Sequence, residues 1–403
     1  MYVETAPRFS LPVIKPARRD LGALVSRIAF GALTVTLPDG EQATYRGSEP
    51  GPVADIRIHR LRAVRRLLVG GHLGFAQSYI DGDWDSSDLA ALIALAAHNE
   101  TILGATIDGR FWLRALHRGL HLLRRNSKRG ARRNIAAHYD LGNEFYGLWL
   151  DPTMTYSAAL FDGSNDTLEA AQRRKYARLA ELADLRPEHE VLEIGCGWGG
   201  FCVWAACEIG CRVTAITISQ RQYDYVRARI SAAGLSELVE VRLQDYRDLR
   251  GRYDRIVSIE MLEAAGESYW PVFFAMLRER LIAGGRAALQ VITIDDAVFP
   301  AYRERVDFIQ RYIFPGGMLP SSSTIREAVG AAGLTWRQDS DHGPDYARTL
   351  AAWHRRFEQA WPKVAALGFD ERFHRLWRYY LAYCEAGFRS ARINLMRFSL
   401  DRP

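Results

Sequence analysis

The amino-acid sequence predicts an α/β protein in which a parallel sheet with helices on both faces follows a mainly helical N-terminal domain. From Glu190 onward, short apolar runs typical of strands alternate with segments of helical periodicity. The first of these runs ends in a glycine-rich turn, as the first strand of a nucleotide-binding sheet does. The chain has 403 residues, more than a single core usually accommodates, so we expect two domains.

The composition is typical of a globular protein and speaks against one that spans a membrane. Hydrophobic residues make up 48% of the chain and charged residues 25%. No apolar run approaches the roughly 20 residues that a spanning helix needs. The first twenty residues lack the continuous apolar stretch of a secretory signal, so we expect a cytoplasmic protein.

Four of the five cysteines lie close together, within residues 196–211. They form no Cys-x-x-Cys pair and no histidine lies nearby, so the pattern does not favour zinc. We expect buried, reduced thiols and no metal site.

The N-terminal region combines a hairpin pattern with helical periodicity. Residues 33–46 (LTVTLPDGEQATYR) contain two alternating runs around Pro38, Asp39 and Gly40, which predicts a β-hairpin. Residues 57–69 and 86–106 have helical periodicity. We therefore predict a helical N-terminal domain with a hairpin at residues 1–108.

The segment after this domain is strongly basic. Residues 1–140 contain 20 Lys and Arg against 13 Asp and Glu, whereas the rest of the chain is nearly balanced. Arg110 to Arg133 alone holds nine cations and no acid, with helical spacing of apolar residues in its first part. Such a segment suits an anionic surface, either phospholipid or nucleic acid, and a solvated helix face is the structural alternative. We assign residues 109–133 to a basic linker.

The remaining residues, 134–403, are predicted to form the second domain, whose ligands should lie at the carboxyl ends of the strands. The predicted strands are 190–194, 212–218, 239–243, 253–259 and 286–294, and the predicted helices are 201–209, 220–233 and 269–281.

The turn after the first strand has the features of a site for a cationic ligand. Its G-x-G-x-G spacing differs from that of dinucleotide sites, and the Gly-Lys-Ser/Thr of a P-loop does not follow. Glu193 precedes the first glycine and Asp245 follows the third strand, whereas the second strand ends in Thr217 and Ser219 without the acid of NAD sites. Acids and glycines without a cation fit the sulfonium and ammonium groups of S-adenosylmethionine.

Residues 134–161 (NIAAHYDLGNEFYGLWLDPTMTYSAALF) follow no clean helical or strand period. They are rich in aromatic and small polar residues, which neither a core strand nor a solvated loop requires. We interpret this segment as a wall of the binding site.

Several motifs together resemble those of the cyclopropane fatty acid synthase family of class I S-adenosylmethionine-dependent methyltransferases. The resemblance covers nearly the whole chain and implies a Rossmann-like, doubly wound sheet of seven strands, the last antiparallel. It is carried by the segment 134–161, by EVLEIGCGWGGF, TAITISQRQ, LQDYR, SIEMLEAAGESYW, DFIQRYIFPGGMLPS, PDYARTLAAW and YYLAYCEAGFRSARI, and by GHLGFAQSYIDGDWD in the N-terminal domain.

The resemblance also implies which residues bind the cofactor S-adenosylmethionine. Thr217 and Gln222 match positions that touch its ribose and methionine parts, and Asp245 matches the adenine side. The predicted cofactor-binding residues are Tyr156, Ser157, Glu193, Gly195, Gly197, Gly199, Thr217, Ser219, Gln222, Gln244 and Asp245.

The family acts on a cis double bond of an acyl chain, so catalysis must orient a weak nucleophile and stabilise a carbocation. Aromatic faces attract cations, and Tyr139, Tyr156 and Tyr346 are suited to this role. No nucleophilic side chain is needed, and the sequence contains no plausible Ser-His-Asp or Cys-His set.

A base must then remove a proton, and ring-forming members of the family hold a bicarbonate for this purpose. Glu263, Ile294 and Tyr346 match bicarbonate-binding positions, but Ala158 stands for the usual cysteine and Ile292 for the usual histidine. Two interpretations stay open. Either the remaining contacts, Ser157 or Thr293 hold bicarbonate, or the cation is resolved differently and gives a methyl- or methylene-branched chain.

Three further features have a structural alternative beside the functional one. Glu260 could be a base, but we favour a structural role, and for His138 a cap or core hydrogen bond is favoured over catalysis. The segment 295–346 is interpreted as an insertion that lines an acyl channel, with core packing as the alternative. Its apolar residues are Phe299, Tyr302, Phe308, Ile309, Tyr312, Ile313 and Phe314.

The sequence therefore predicts an enzyme that transfers a one-carbon unit from S-adenosylmethionine to an unsaturated acyl chain of a membrane phospholipid. We expect it at the inner face of the membrane as a peripheral protein, with the phospholipid surface and not nucleic acid as partner. A homodimer is left open. The alternatives are a methyltransferase for a soluble small molecule and a non-catalytic lipid-binding protein.

Replacing Arg124, Arg125, Arg129, Arg132 and Arg133 with glutamine should weaken binding to anionic liposomes, because each basic residue near such a surface contributes about 1 kcal/mol. Co-sedimentation should show the largest difference at low salt, where charges are least screened. Equal binding of both forms to anionic and zwitterionic liposomes would exclude this role for the linker.

Overall fold

In a computed structural model, the structure describes residues 14–108, 130, 141–163 and 165–403. The described residues form two compact units. The N-terminal unit contains residues 14–108 and also Glu371–Ala386, and the second unit contains the remaining described residues. The basic linker 109–133 lies outside the described residues except for Gly130.

The N-terminal unit contains a four-stranded sheet in the order β2-β1-β3-β4. The predicted hairpin is confirmed: β1 and β2 are antiparallel, with Leu33 opposite Tyr45. The long strand β3, which pairs in parallel with β1, was not predicted. The strands are β1 (Phe30–Thr36), β2 (Gln42–Arg46), β3 (Glu49–Ile58) and β4 (Trp84–Asp85), and the helices in residues 14–108 are α1 (Ile14–Val25), α2 (Arg62–Ile80), α3 (Leu89–His98) and α4 (Glu100–Asp108).

A segment far along the chain completes this unit. The Arg375 guanidinium donates to the backbone oxygens of Tyr79 and Trp84 at 2.6 and 2.7 Å, and to the Asp85 carboxylate at 2.8 Å. The sequence interpretation placed residues 371–386 in the second domain, because local periodicity shows a helix but not its partner.

Asp83 is a fully buried charge of this unit. Its side chain has no exposed surface, and its carboxylate accepts from the Arg62 Nε at 2.7 Å. Arg66 and Arg60 lie at 3.3 and 3.4 Å. A buried carboxylate is tolerated only when cations and hydrogen bonds replace its hydration, so these arginines hold the turn between α2 and β4.

The second unit is built on a seven-stranded sheet in the order β10-β11-β9-β8-β5-β6-β7. Strand β11, the last of the seven, runs antiparallel to β9 and β10, as the resemblance implied. All five strands predicted from periodicity are present. The strands are β5 (Glu190–Ile194), β6 (Arg212–Thr217), β7 (Val239–Leu243), β8 (Tyr253–Ile259), β9 (Leu281–Ile294), β10 (Thr335–Asp341) and β11 (Ile393–Asp401).

Helices cover both faces of this sheet with separate apolar clusters. On one face Leu179 and Phe201 pack against the sheet, and on the other Phe273 and Ile325 do so. The helices of this unit are α5 (Asn143–Gly147), α6 (Leu168–Ala183), α7 (Gly200–Glu208), α8 (Gln220–Ala232), α9 (Leu262–Ala265), α10 (Trp270–Arg280), α11 (Phe299–Arg303), α12 (Phe308–Tyr312), α13 (Ser322–Ala331) and α14 (Gly343–Ala366). The last helix, α15 (Glu371–Arg389), belongs to the N-terminal unit over Glu371–Ala386.

The predicted insertion 295–346 is partly sheet. Strand β10 and its crossover helix α13 belong to the central fold, so the inserted part ends near Ser321. Within it, Phe299 and Tyr302 pack on the core cluster of the sheet, which supports the core-packing alternative for these two residues. An acyl channel along the other apolar residues stays a prediction.

Two expectations from composition can be compared with the described residues. Within them, no helix is both long and apolar enough to cross a membrane. Cys196, Cys202 and Cys211 are buried as expected, whereas Cys207 is exposed.

Replacing Asp83 with asparagine should lower the free energy of unfolding by about 1 to 3 kcal/mol, because the arginines around this buried carboxylate lose their charged acceptor. Urea denaturation monitored by circular dichroism would measure this. The matched control is Asp39→Asn, whose ion pair with Arg18 is solvent-exposed and should matter little. Equal midpoints for the two variants would contradict a stabilising role for Asp83.

Candidate functional site

A cleft opens at the carboxyl ends of β5, β6, β7 and β8, where the parallel sheet was predicted to bind its ligand. Its empty space is about 1130 Å³ when the open mouth of the cleft is included. Of the predicted cofactor-binding residues, nine line it: Tyr156, Ser157, Glu193, Gly195, Gly197, Thr217, Gln222, Gln244 and Asp245.

The glycine-rich turn brings the backbone close to this cleft. Gly195 and Gly197 have φ angles of 81° and 54°, which favour glycine. Gly199 is the N-cap residue of α7 and does not line the cleft. Its contact with a cofactor stays a prediction. A methyl group on Gly200 would lie 2.1 Å from the Tyr176 hydroxyl, so only glycine allows the turn to pack on α6.

Glu193 supplies a buried carboxylate at the end of β5. Its Oε2 atom has no hydrogen-bond partner among the described residues. Burial raises the pKa of Glu193 to about 7, and hydrogen bonds from Cys202 and the positive charge of Lys175 oppose that rise. An unpaired carboxylate oxygen in a cleft fits the ammonium or sulfonium group of S-adenosylmethionine.

The end of β6 presents hydroxyl and amide groups instead of an acid. Thr217 donates its hydroxyl to the Gln222 Oε1 at 2.8 Å, which leaves the Gln222 amide hydrogens for another acceptor. Ser219 does not line the cleft, because its hydroxyl caps α8 by accepting from the Gln222 N–H. Its contact with a cofactor stays a prediction, and the structure shows that it positions Gln222.

Asp245 is held in an ion pair. The Arg247 guanidinium donates to both of its carboxylate oxygens, at 2.8 and 2.7 Å, and the Arg247 N–H donates to Oδ1 at 3.0 Å. This fixes the carboxylate orientation beside Gln244 at the adenine side of the predicted site. The sequence prediction named Asp245 but not the arginine that orients it.

The segment before Ala158 is held in an unusual backbone conformation. Met154 has a φ of 56°, which costs a residue other than glycine about 1 to 2 kcal/mol. Asp151 maintains it by accepting from the backbone N–H groups of Thr153 and Thr155 at 2.9 and 3.3 Å. As a result, Tyr156 and Ser157 turn toward the cleft.

Aromatic rings surround Tyr156. Its centroid lies 5.4 Å from that of Tyr146, 5.6 Å from Trp149 and 5.3 Å from Trp353. The Tyr346 ring approaches Trp353 edge-on at 6.2 Å. These five rings form an aromatic cluster in which Tyr156 lines the cleft, whereas Tyr146, Trp149 and Trp353 are buried behind it.

A buried lysine lies behind Ser157. The Lys175 Nζ donates to the Ser157 Oγ at 2.7 Å, and the side chain has no exposed surface. Burial lowers the pKa of Lys175 to about 7. The sequence prediction missed Lys175, because a lysine in an amphipathic helix is normally on the solvent face.

Glu260 is the centre of a hydrogen-bond network that the sequence did not predict. One carboxylate oxygen accepts from the Ala158 N–H at 2.9 Å and from the Gln290 amide at 2.7 Å, and the other accepts from the Tyr346 hydroxyl at 2.6 Å. Gln290 is in turn held by Arg397 at 2.6 Å. These contacts fit the structural role favoured for Glu260, and a role as a base stays a prediction.

The other predicted catalytic residues occupy different environments. Glu263 accepts from the Ile292 N–H, and its second oxygen has no partner among the described residues. Burial and the neighbouring Glu260 raise the pKa of Glu263 to about 8, so it is mostly protonated at neutral pH. Ile294 is buried in the core at the end of β9, and Tyr139 and His138 lie outside the described residues.

Comparison with known proteins places these features in a family context. The model of the mycolic acid cyclopropane synthetase family matches residues 126–398. A tuberculostearic acid methyltransferase of Mycobacterium tuberculosis is 40% identical over 379 residues, which cover 89% of this chain and 86% of the relative. A cyclopropane-fatty-acyl-phospholipid synthase of Escherichia coli is 36% identical over 363 residues, which cover 88% and 89%.

A solved structure confirms the predicted class I methyltransferase fold. The structure of a mycolic acid cyclopropane synthase complexed with SAH and CTAB superposes with a TM-score of 0.63 at 30% sequence identity. The match covers 67% of this chain and 98% of that one.

Replacing Glu193 with glutamine should weaken S-adenosylmethionine binding about 10-fold or more, because a charge-assisted contact contributes about 1.5 to 3 kcal/mol. With a pKa of about 7, the wild-type carboxylate ionises as pH rises, so affinity should increase between pH 6 and 8. Calorimetric titration at both pH values would measure this. The variant should lose the pH dependence, and a variant that kept it would show that another group titrates.

Proposed function

The chain belongs to the mycolic acid cyclopropane synthetase family, and from this premise we propose that it transfers a one-carbon unit to the double bond of an unsaturated acyl chain in a membrane phospholipid. The protein is an S-adenosylmethionine-dependent methyltransferase, which confirms the predicted enzyme class and methyl donor. The phospholipid, the double bond and the nature of the product are the proposed part.

The names of the relatives support an acyl substrate. One is a tuberculostearic acid methyltransferase and another is a cyclopropane-fatty-acyl-phospholipid synthase, and this chain spans most of each. Because both names refer to fatty acyl chains, the relatives favour an acyl substrate over a soluble polar one.

The observation that carries the proposal is the aromatic cluster around Tyr156. Methyl transfer to an alkene leaves a carbocation, and aromatic faces stabilise a nearby cation by about 0.5 to 2 kcal/mol each. Five rings lie within 6.2 Å of a neighbour in this cluster, and Tyr156 is the one among them that lines the cleft, beside the residues predicted to bind the cofactor. This arrangement suits a substrate that becomes cationic during the reaction.

The residues of the cleft have separable roles in this proposal. S-adenosylmethionine supplies an electrophilic methyl group when bound. Glu193 and the glycine-rich turn hold its charged end, and Thr217 and Gln222 hold the polar groups nearby. The aromatic cluster excludes water and orients the acyl chain, which matters because a weak nucleophile reacts only when it is well aligned.

Membrane association is the remaining part of the proposal. The basic residues between 110 and 133 suit an anionic phospholipid surface, and a phospholipid acyl chain is accessible only there. We propose that the enzyme works as a peripheral protein at such a surface.

Expression in a bacterial host that lacks such activity should add one CH₂ to its unsaturated fatty acids, detected by mass spectrometry. Feeding methionine with a deuterated methyl group sharpens the experiment. A ring or a methylene branch loses one donor-derived hydrogen, whereas an unaltered methyl branch keeps all of them. Fragmentation of the product separates ring from branch.

The matched control is Gly195→Val, whose side chain would collide with Met261 in the cofactor turn and should abolish the gain in mass. Unchanged lipids in cells that contain folded wild-type protein would contradict the proposed function. Activity on a soluble small molecule without liposomes would favour the alternative methyltransferase.

A further inference from the structure

We propose that the Glu260 carboxylate is the base that removes the proton from the acyl carbocation, so that the chain itself provides the anion for which the family resemblance implies a bicarbonate. This inference rests on the proposed function, since it names the group that completes the proposed reaction. It assigns to Glu260 a role in the chemistry as well as in the packing.

The first support is the position of Glu260. It follows β8 directly and lines the cleft together with Tyr156, Ser157 and Glu193. A carboxylate at this strand end faces the same space as the predicted cofactor residues, so a substrate cation beside the sulfonium would form near it.

The second support is the identity of its hydrogen-bond donors. Positions 158 and 346 are two that the family resemblance assigns to bicarbonate. Here the Ala158 N–H and the Tyr346 hydroxyl both donate to Glu260, at 2.9 and 2.6 Å. Since a carboxylate has the same flat pair of oxygens as bicarbonate, one side chain satisfies donors that would otherwise hold the ion.

The third support is the backbone. Glu260 has a φ of 50°, a conformation that glycine adopts freely and other residues rarely do. Such strain, of the order of 1 to 3 kcal/mol, persists where surrounding contacts enforce it and is concentrated at functional sites. A glycine at this position would adopt the same backbone conformation without strain. Packing alone therefore does not explain a glutamate here.

The surrounding charges are compatible with a base. Burial raises the pKa of Glu260, while the Tyr346 hydroxyl, the Ala158 N–H and the buried Lys175 cation oppose that rise. Glu263 is the competing carboxyl, but burial raises its pKa to about 8 and one oxygen is held by the Ile292 N–H. Of these two acids, Glu260 also lines the cleft.

The proposed reaction consists of methyl transfer to the double bond followed by removal of a proton. The alkene π electrons form the bond to the incoming methyl carbon, the carbon–sulfur bond breaks with its electrons left on sulfur, and the acyl chain becomes a cation. Glu260 then accepts a proton, and the released C–H electrons close a ring or form a double bond. Protonated Glu260 returns its proton to solvent after product release.

The test uses full-length enzyme with vesicles of dioleoyl phosphatidylglycerol and measures turnover together with S-adenosylmethionine affinity. Glu260→Gln should lower kcat about 100-fold or more, the scale of general-base catalysis, with cofactor affinity changed less than threefold. Glu279→Gln is the matched control, because Glu279 is exposed and pairs only with its neighbour Arg280 among the described residues.

Glu260→Gly provides the decisive comparison. Glycine relieves the backbone strain and leaves a space lined by the Ala158 N–H and the Tyr346 hydroxyl, so formate or bicarbonate should restore at least 10-fold of the lost turnover. Wild-type turnover should be unchanged in buffer freed of carbon dioxide. The melting temperature of each variant identifies any loss due to unfolding.

The outcomes separate the two proposals. An inactive wild-type enzyme on every unsaturated phospholipid refutes the proposed function. An active wild type with a fully active Glu260→Gln variant, or a wild type that stops without bicarbonate, overturns the role of Glu260 alone. A folded, cofactor-binding Glu260→Gly variant that no small anion restores also counts against it.

Discussion

The Glu260 carboxylate is only partly exposed and must remain hydrogen-bonded, and this constraint organises the site. A buried acid without donors costs several kcal/mol, so the segment at Ala158, the strand at Gln290 and the helix at Tyr346 must all approach one point. Arg397 extends the network to β11 through Gln290. The cleft therefore receives its shape from a polar centre placed between apolar layers of the sheet.

Electrostatics in the cleft then favour a cationic ligand. Glu193 and Glu260 both face it, whereas the nearby Arg247 is engaged by Asp245 and Lys175 is turned toward Ser157. Because these carboxylates are poorly solvated, each interacts more strongly with a sulfonium or carbocation than it would in water. The aromatic cluster adds faces that attract cations without adding mobile charge.

The sequence allowed the sheet and most of the cleft lining to be predicted, since apolar alternation and a glycine-rich turn are local signals. Strand β3 and the placement of residues 371–386 were not predicted, because parallel pairing and long-range docking leave no local period. Lys175 and Glu260 were missed or given a secondary role for the same reason. Lys175 is held by Ser157, 18 residues away, and Glu260 by Ala158, Gln290 and Tyr346, which lie 102, 30 and 86 residues away along the chain.

The nature of the base bears on the product. After methyl transfer, loss of a proton competes with a shift of hydride along the chain, and a weaker base gives the shift more time. Hydrogen bonds from three donors make a carboxylate a weaker base than burial alone would make it. If Glu260 performs this step, its donors, and Tyr346 above all, set the balance between a ring and a branched chain. Under the proposed function, a ring and a branched chain are then two products of the same kind of site. The strength of the hydrogen bonds to its base decides between them.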